Sequence, residues 1–88
     1  MIFLNTNIEI RLWSTDSLSD ATSANIIYNK PDGQSGKWTA SILNGAIVYN
    51  TELADLDTAG EWQLQGEVFS SGLKRLTSIT TMIVSKGI

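Results

Sequence analysis

The 88-residue chain contains no cysteine and no histidine, and only six cationic side chains. Without cysteine there is no disulfide to add stability, no thiol nucleophile and no thiolate metal site. The lack fits folding in a reducing cytoplasm. Without histidine, the commonest general base and the commonest metal ligand are missing as well. The cations Arg11, Lys30, Lys37, Lys74, Arg75 and Lys86 are scattered, only Lys74 and Arg75 are adjacent, and the formal net charge is −3. Binding to a nucleic-acid backbone draws on a clustered basic surface, so no nucleic-acid partner is expected. Long apolar runs are missing too. No run approaches the roughly 20 residues of a membrane-spanning helix. The opening Met1-Ile2-Phe3-Leu4 is too short for a signal-peptide core and has no basic residue ahead of it. The expectation is a soluble, untargeted chain with no membrane partner.

Residues 1–88 are short enough to be one domain. A chain of this size buries only about 60–65% of the surface that its unfolded form exposes, so its core is modest. What the chain does have is period-two alternation. From Glu61 to Val68, Trp62, Leu64, Gly66 and Val68 fall on one face, and Glu61, Gln63, Gln65 and Glu67 on the other. Successive side chains of a strand point to opposite faces, which makes the first set buried and the second wet. Asn7–Trp13 alternates Ile8, Ile10 and Leu12 against Glu9, Arg11 and Trp13. Further strands are expected over Ala24–Lys30, Lys37–Leu43 and Ala46–Thr51. A long last strand is expected over Leu73–Ser85, which is rich in β-branched residues and apolar on both faces.

Turn signals separate these segments. Pro31-Asp32-Gly33 presets a tight connection, Asn44-Gly45 is a strong hairpin signal, and Ser70-Ser71-Gly72 turns the chain again. Ser14–Ser23 reads as a polar connector in which Leu18 plugs the edge of the core. No segment carries a sustained helical period. Six or seven strands with turns between them predict an all-β antiparallel sandwich.

Candidate sites are few. Asp55 and Asp57, with Glu52 nearby, supply oxygen ligands of the kind calcium takes, yet lack the EF-hand spacing. Turn chemistry explains the same aspartates, so no metal and no cofactor are expected. The serines at 14, 70 and 71 have no histidine to activate them, and a serine–lysine dyad with Lys74 has no support. No enzymatic activity is expected. Trp38 and Trp62 run in phase with inward residues and read as core. Trp13 is out of phase with Ile8, Ile10 and Leu12 and reads as an exposed anchor. The apolar ends, Ile2, Phe3 and Leu4 with Met82, Val84 and Ile88, read with Trp13 as an interface to a partner protein. A sugar stacked on Trp13 or Tyr49, beside a groove of Asn44, Asn50 or Gln34, is the rival reading.

Two resemblances bear on this pattern. The run Asp57-Thr58-Ala59-Gly60-Glu61-Trp62-Gln63-Leu64 resembles the corner leading into strand F of immunoglobulin-like domains. Trp62 stands where those domains have tyrosine, Leu64 stands where antibodies have cysteine, and the aspartate lies one residue further from the glycine. More extensively, four stretches resemble a family of short tailed-phage virion proteins: Ile26–Gly33, Gly36–Ala40, Ile47–Tyr49 and Asp55–Gln65. The likeness spans roughly residues 8–84, and its motif residues (Pro31, Gly33, Trp38, Gly60, Trp62, Leu64) are fold determinants. It implies a single immunoglobulin-like β-sandwich of about seven strands without a disulfide. It further implies a virion structural protein of the tail, neck, baseplate or head, made in the host cytoplasm and packed in multiple copies against other virion proteins. Capsid decoration and glycan attachment to a host surface are the alternatives.

Overall fold

Alternating segments become strands wherever one face can be buried. The computed structural model describes residues 2–13, 21–43, 45–70 and 72–86, and among these it contains strands and turns but no helix. Eight strands follow in chain order: β1 (Ile2–Phe3), β2 (Glu9–Trp13), β3 (Ser23–Asn29), β4 (Ser35–Leu43), β5 (Ala46–Asn50), β6 (Gly60–Ser70), β7 (Leu73–Leu76) and β8 (Thr80–Ser85). They hydrogen-bond in the order β1-β8-β6-β3-β4-β5-β2, with β7 also on β6. Every pairing is antiparallel except β1 with β8, so the sheet is mixed rather than purely antiparallel.

The sheet is curled, and β4 is the strand that curls it. Its first part, Ser35–Ala40, pairs with β3, whereas Ser41–Leu43 turns to β5. One strand therefore belongs to two layers. Ile10, Leu12 and Ile47 from β2 and β5 meet Ile26, Trp38, Trp62, Leu64 and Val68 from the other layer in one core. Met82 and Val84 of β8 belong to the same core, and so does Leu56 from the loop before β6. The turn at Pro31 forms as its residues dictate. Gly33 has φ +91°, its N–H donates to the Lys30 carbonyl, and the Gln34 N–H donates to the Asp32 carboxylate. Leu18, Asn44 and Ser71 lie outside the described residues.

The last strand departs from expectation. Leu73–Ser85 is two strands, not one, separated at residues 77–79. The register shows why. Glu67 faces Leu76 but Leu64 faces Thr80, so three steps along β6 match four along its neighbour. One extra residue is a β-bulge, and it reverses the phase of everything beyond it. Leu76 therefore turns outward, while Met82 and Val84 turn inward. Thr77 holds the bulge. Its Oγ1 accepts the Gly66 N–H at 2.8 Å, and its own N–H donates to the Gly66 carbonyl at 2.9 Å. Gly66 permits this because it has no side chain. A Cβ there would stand 2.5 Å from Ile47 Cδ1 and 2.9 Å from Thr77 Cγ2.

Gly66→Ala should therefore overpack the contact between the layers and cost about 1–3 kcal/mol. Ile47→Val, which removes the clashing methyl, should recover part of that loss in the double variant. Urea unfolding of the single and double variants measures both effects; strict additivity would contradict the account.

Candidate interaction surface

The loop between β5 and β6 is where the sequence is richest in oxygen ligands, and both of its aspartates already have partners. The Tyr49 hydroxyl donates to Asp55 Oδ2 at 2.6 Å, and the Glu52 N–H donates to the same oxygen at 2.8 Å. Lys30 Nζ lies 2.9 Å from Asp57 Oδ1 and donates to Oδ2 at 3.1 Å. The Trp62 indole N–H donates to the Thr58 carbonyl at 2.8 Å. Between these bonds Leu56 drops fully into the core. The aspartates thus face different partners rather than a common centre, and no cluster of three or more potential metal ligands occurs among the described residues. The loop fastens the corner to the core.

What it fastens onto is a cluster of four rings. Trp38 stacks on Tyr49 with centroids 4.9 Å apart, and its centroid is 4.6 Å from that of Tyr28 and 6.1 Å from that of Trp62. Such tilted and offset pairs add about 0.5–1.5 kcal/mol each beyond area burial. Lys30 lies over the Trp62 ring, 5.6 Å from its centroid, while bonded to Asp57. Gly60, at φ +128°, brings the backbone against Pro31; a Cβ there would lie 2.8 Å from the proline ring. Trp38, Trp62 and Leu64 are core residues, as their phase predicts. Tyr49 faces inward, so it offers no platform for a sugar.

The outer face of the β2–β5–β4 layer is different. Trp13 and Leu43 flank Ala46 from its two neighbouring strands, and in the next row Arg11 and Ser41 flank Val48. Ala46 and Val48 are covered, but Trp13 is 63% exposed and Leu43 48%. The Arg11 guanidinium lies 5.8 Å from the Trp13 ring centroid and 2.8 Å from Glu9 Oε1. Glu9, Thr39, Ser41, Val48 and Asn50 line a shallow depression on this same face. Leu43 was not singled out by sequence; the Asn44-Gly45 dipeptide, a hairpin signal directly after it, is what could have found it, and Leu43 does pair with Ala46.

The expected terminal interface divides. Phe3 is exposed, while Ile2 and Leu4 are half-buried against the core. Met82 and Val84 are buried core residues and cannot meet a partner, because the bulge turns them inward; their neighbour Ile83 takes the outer position. Ile88 lies outside the described residues. Phe3 and Ile83 are exposed on the outer side of the β8–β6–β3 layer, and further along it Ile79 and Ile27 line a small depression with Gln63 and Gln65.

Glu67 corrects the simple reading of β6. It has the outward phase expected of it, yet its side chain is only 1% exposed. Asn25 Nδ2 donates to it at 3.1 Å, and Lys37 and Lys74 close over it at 3.1 and 3.2 Å. These donors hold its carboxyl below the usual value of 4.5, the Asn25 bond most of all. Lys74 is thereby engaged with a carboxylate rather than with a serine. Asp57 is likewise held below 3.8, chiefly by the hydrogen bond from Lys30. Burial, then the bond to Asp55, raises the Tyr49 phenol above its ordinary 10.0. The Asp57 bond raises Lys30 above 10.5.

No known protein family, no curated protein and no solved structure matches this chain.

The shifted groups set a pH profile. Glu67 and Asp57 have folded values below their unfolded ones, so their stabilisation is complete above the unfolded values near 4 and is lost as pH falls through the depressed folded values. Lys30 and Tyr49 are raised, so their stabilisation holds below about pH 10 and is lost as pH rises beyond it. The thermal midpoint should be level from about pH 6 to 9 and fall on both sides. Asp57→Asn should shallow the acid limb, as measured by circular dichroism melts from pH 2 to 7; an unchanged limb would contradict the assignment of Asp57.

Proposed function

We propose that this chain is a non-enzymatic structural protein of a tailed-phage virion. It is an immunoglobulin-like module, present in several copies, that packs through its edge strands and exposed outer faces onto other virion proteins of the tail, neck or baseplate. The observation that carries the reading is the exposure of Trp13 and Leu43 on one layer and of Phe3 and Ile83 on the other, in a molecule whose core is complete without them. Aromatic side chains left on a polar surface mark places where another surface settles.

Strand connectivity supports the immunoglobulin-like part. β2, β5 and the end of β4 are paired as strands B, E and D are in such domains; the start of β4, then β3, β6 and β8, follow the order C′, C, F and G. The Trp62 indole bonding back to Thr58 takes the place of the tyrosine hydroxyl at the corner before strand F. The virion part rests on the resemblance to short tailed-phage proteins. Against a nucleic-acid role, Arg11, Lys30, Lys37 and Lys74 are each bound to a carboxylate of the chain itself. Capsid decoration is the variant of this reading that places the module on the head.

One observation favours a second reading, a glycan-binding module for host attachment. The depression lined by Glu9, Thr39, Ser41 and Asn50 shares the outer face of Trp13. Sugars take such a combination of polar edge and aromatic plate.

Mass spectrometry of purified particles should find the protein in stoichiometric amounts. A Trp13→Ser, Leu43→Ser variant should stay folded, because both side chains are exposed, yet be incorporated at least about tenfold less. Absence from particles, or undiminished incorporation of the variant, would contradict the proposal. Glycan-array binding abolished by Trp13→Ala, with incorporation unchanged, would favour the second reading.

A further inference from the structure

Among the described residues, the outer edge of β2 has no partner strand. β2 pairs with β5 on one side only, and no described strand lies on the other. Backbone direction follows from the bonds it makes. The Ile8 carbonyl accepts the Thr51 N–H and the Ile8 N–H donates to Thr51 Oγ1, so Ile8, and with it Ile10 and Leu12, direct their peptide groups at β5. Glu9, Arg11 and Trp13 alternate with them and direct theirs outward. Proteins blunt such edges with proline, inward charges, bulges or coverage. Among the described residues β2 has no proline, no bulge and no covering strand: its register with β5 is unbroken over five pairs, and its two charged side chains, Glu9 and Arg11, are of opposite sign.

We infer that β2 pairs with β2 of a second copy, antiparallel about a two-fold axis through Ile10, so that Glu9 of each copy faces Arg11 of the other. This register satisfies three conditions together. Glu9 and Arg11 both present outward peptide groups, so each facing pair makes two hydrogen bonds, and the two pairs make about four in total. Their side chains, already on one face and 2.8 Å apart within the strand, become a closed square of alternating charge across the axis. Ile8 of each copy falls beside Leu12 of the other on the core face, where both line the groove between β2 and β8. The neighbouring register centred on Arg11 would oppose like charges and is disfavoured. Other edges suit self-pairing less. β7 would set Lys74 against Arg75, and β8 is partly covered by β1. The pairing deepens the edge-packing part of the proposed function, since it makes the module a two-fold building unit.

The test uses the full chain in dilute buffer. Sedimentation should show a monomer–dimer equilibrium. Arg11→Glu or Glu9→Arg alone sets like charges opposite one another and should weaken dimerisation about tenfold or more. Glu9→Arg with Arg11→Glu restores opposite charges and should return it to near the starting value. Amide exchange supplies a readout that the intrastrand ion pair does not move. The N–H groups of Glu9 and Arg11 should become protected as protein concentration rises, while those of Ile10 and Leu12 stay protected throughout. A monomer at all concentrations, or a double swap as weak as the single ones, would overturn the pairing. A protein that enters particles yet never dimerises would overturn the pairing alone and leave the virion role standing.

Discussion

The hydrogen bond from the Trp62 indole to the Thr58 carbonyl is the constraint on which the rest of the molecule depends. Trp62 is wholly buried, and a buried N–H without a partner costs about 1–3 kcal/mol. The bond therefore fixes the corner before β6 in one place. Once fixed, the corner delivers Leu56 to the core, Asp55 to Tyr49 and Asp57 to Lys30. The two aspartate contacts reach a ring of the aromatic cluster and a group lying over one. A domain this small, without a disulfide, closes its core by joining four aromatic rings to one polar loop. The Asp55 and Asp57 oxygens, which look like metal ligands in sequence, are engaged in that closure.

Two local devices then decide what faces outward. β4 changes partner halfway along, which folds one sheet into two layers. The bulge at Thr77, admitted by the missing side chain of Gly66, reverses the phase of the last strand. The first device puts Trp13 and Leu43 on an outer face beside an edge with no partner strand among the described residues; the second puts Ile83 rather than Met82 on the surface. The geometry that completes the core therefore also leaves apolar side chains outside it, and the proposed packing role follows from those residues rather than from any reactive group.

Much of this was legible in the sequence because period-two alternation and turn residues are local signals. The phases of β2 and β6 placed Ile10, Leu12, Trp62 and Leu64 inward and Trp13 outward, and the turns at Pro31 and Gly45 fall where glycine is needed at positive φ. What was not legible depends on contacts between distant segments. Residues 73–85 read as a single strand because nothing within them marks Thr77 as a bulge; Gly66, eleven residues away, makes it one. Glu67 read as wet because its phase is outward, and only the convergence of Lys37 and Lys74 buries it. Leu56 looked like loop, since its burial follows from the bonds on either side of it.

The central claim is that the face bearing Trp13 is covered in an assembled particle. Oxidative footprinting read by mass spectrometry tests this most directly, because the three tryptophans act as their own controls. In the isolated protein Trp13 should be oxidised readily while the buried Trp38 and Trp62 resist. In intact particles all three should resist. Trp13 labelled equally in both states would contradict the account.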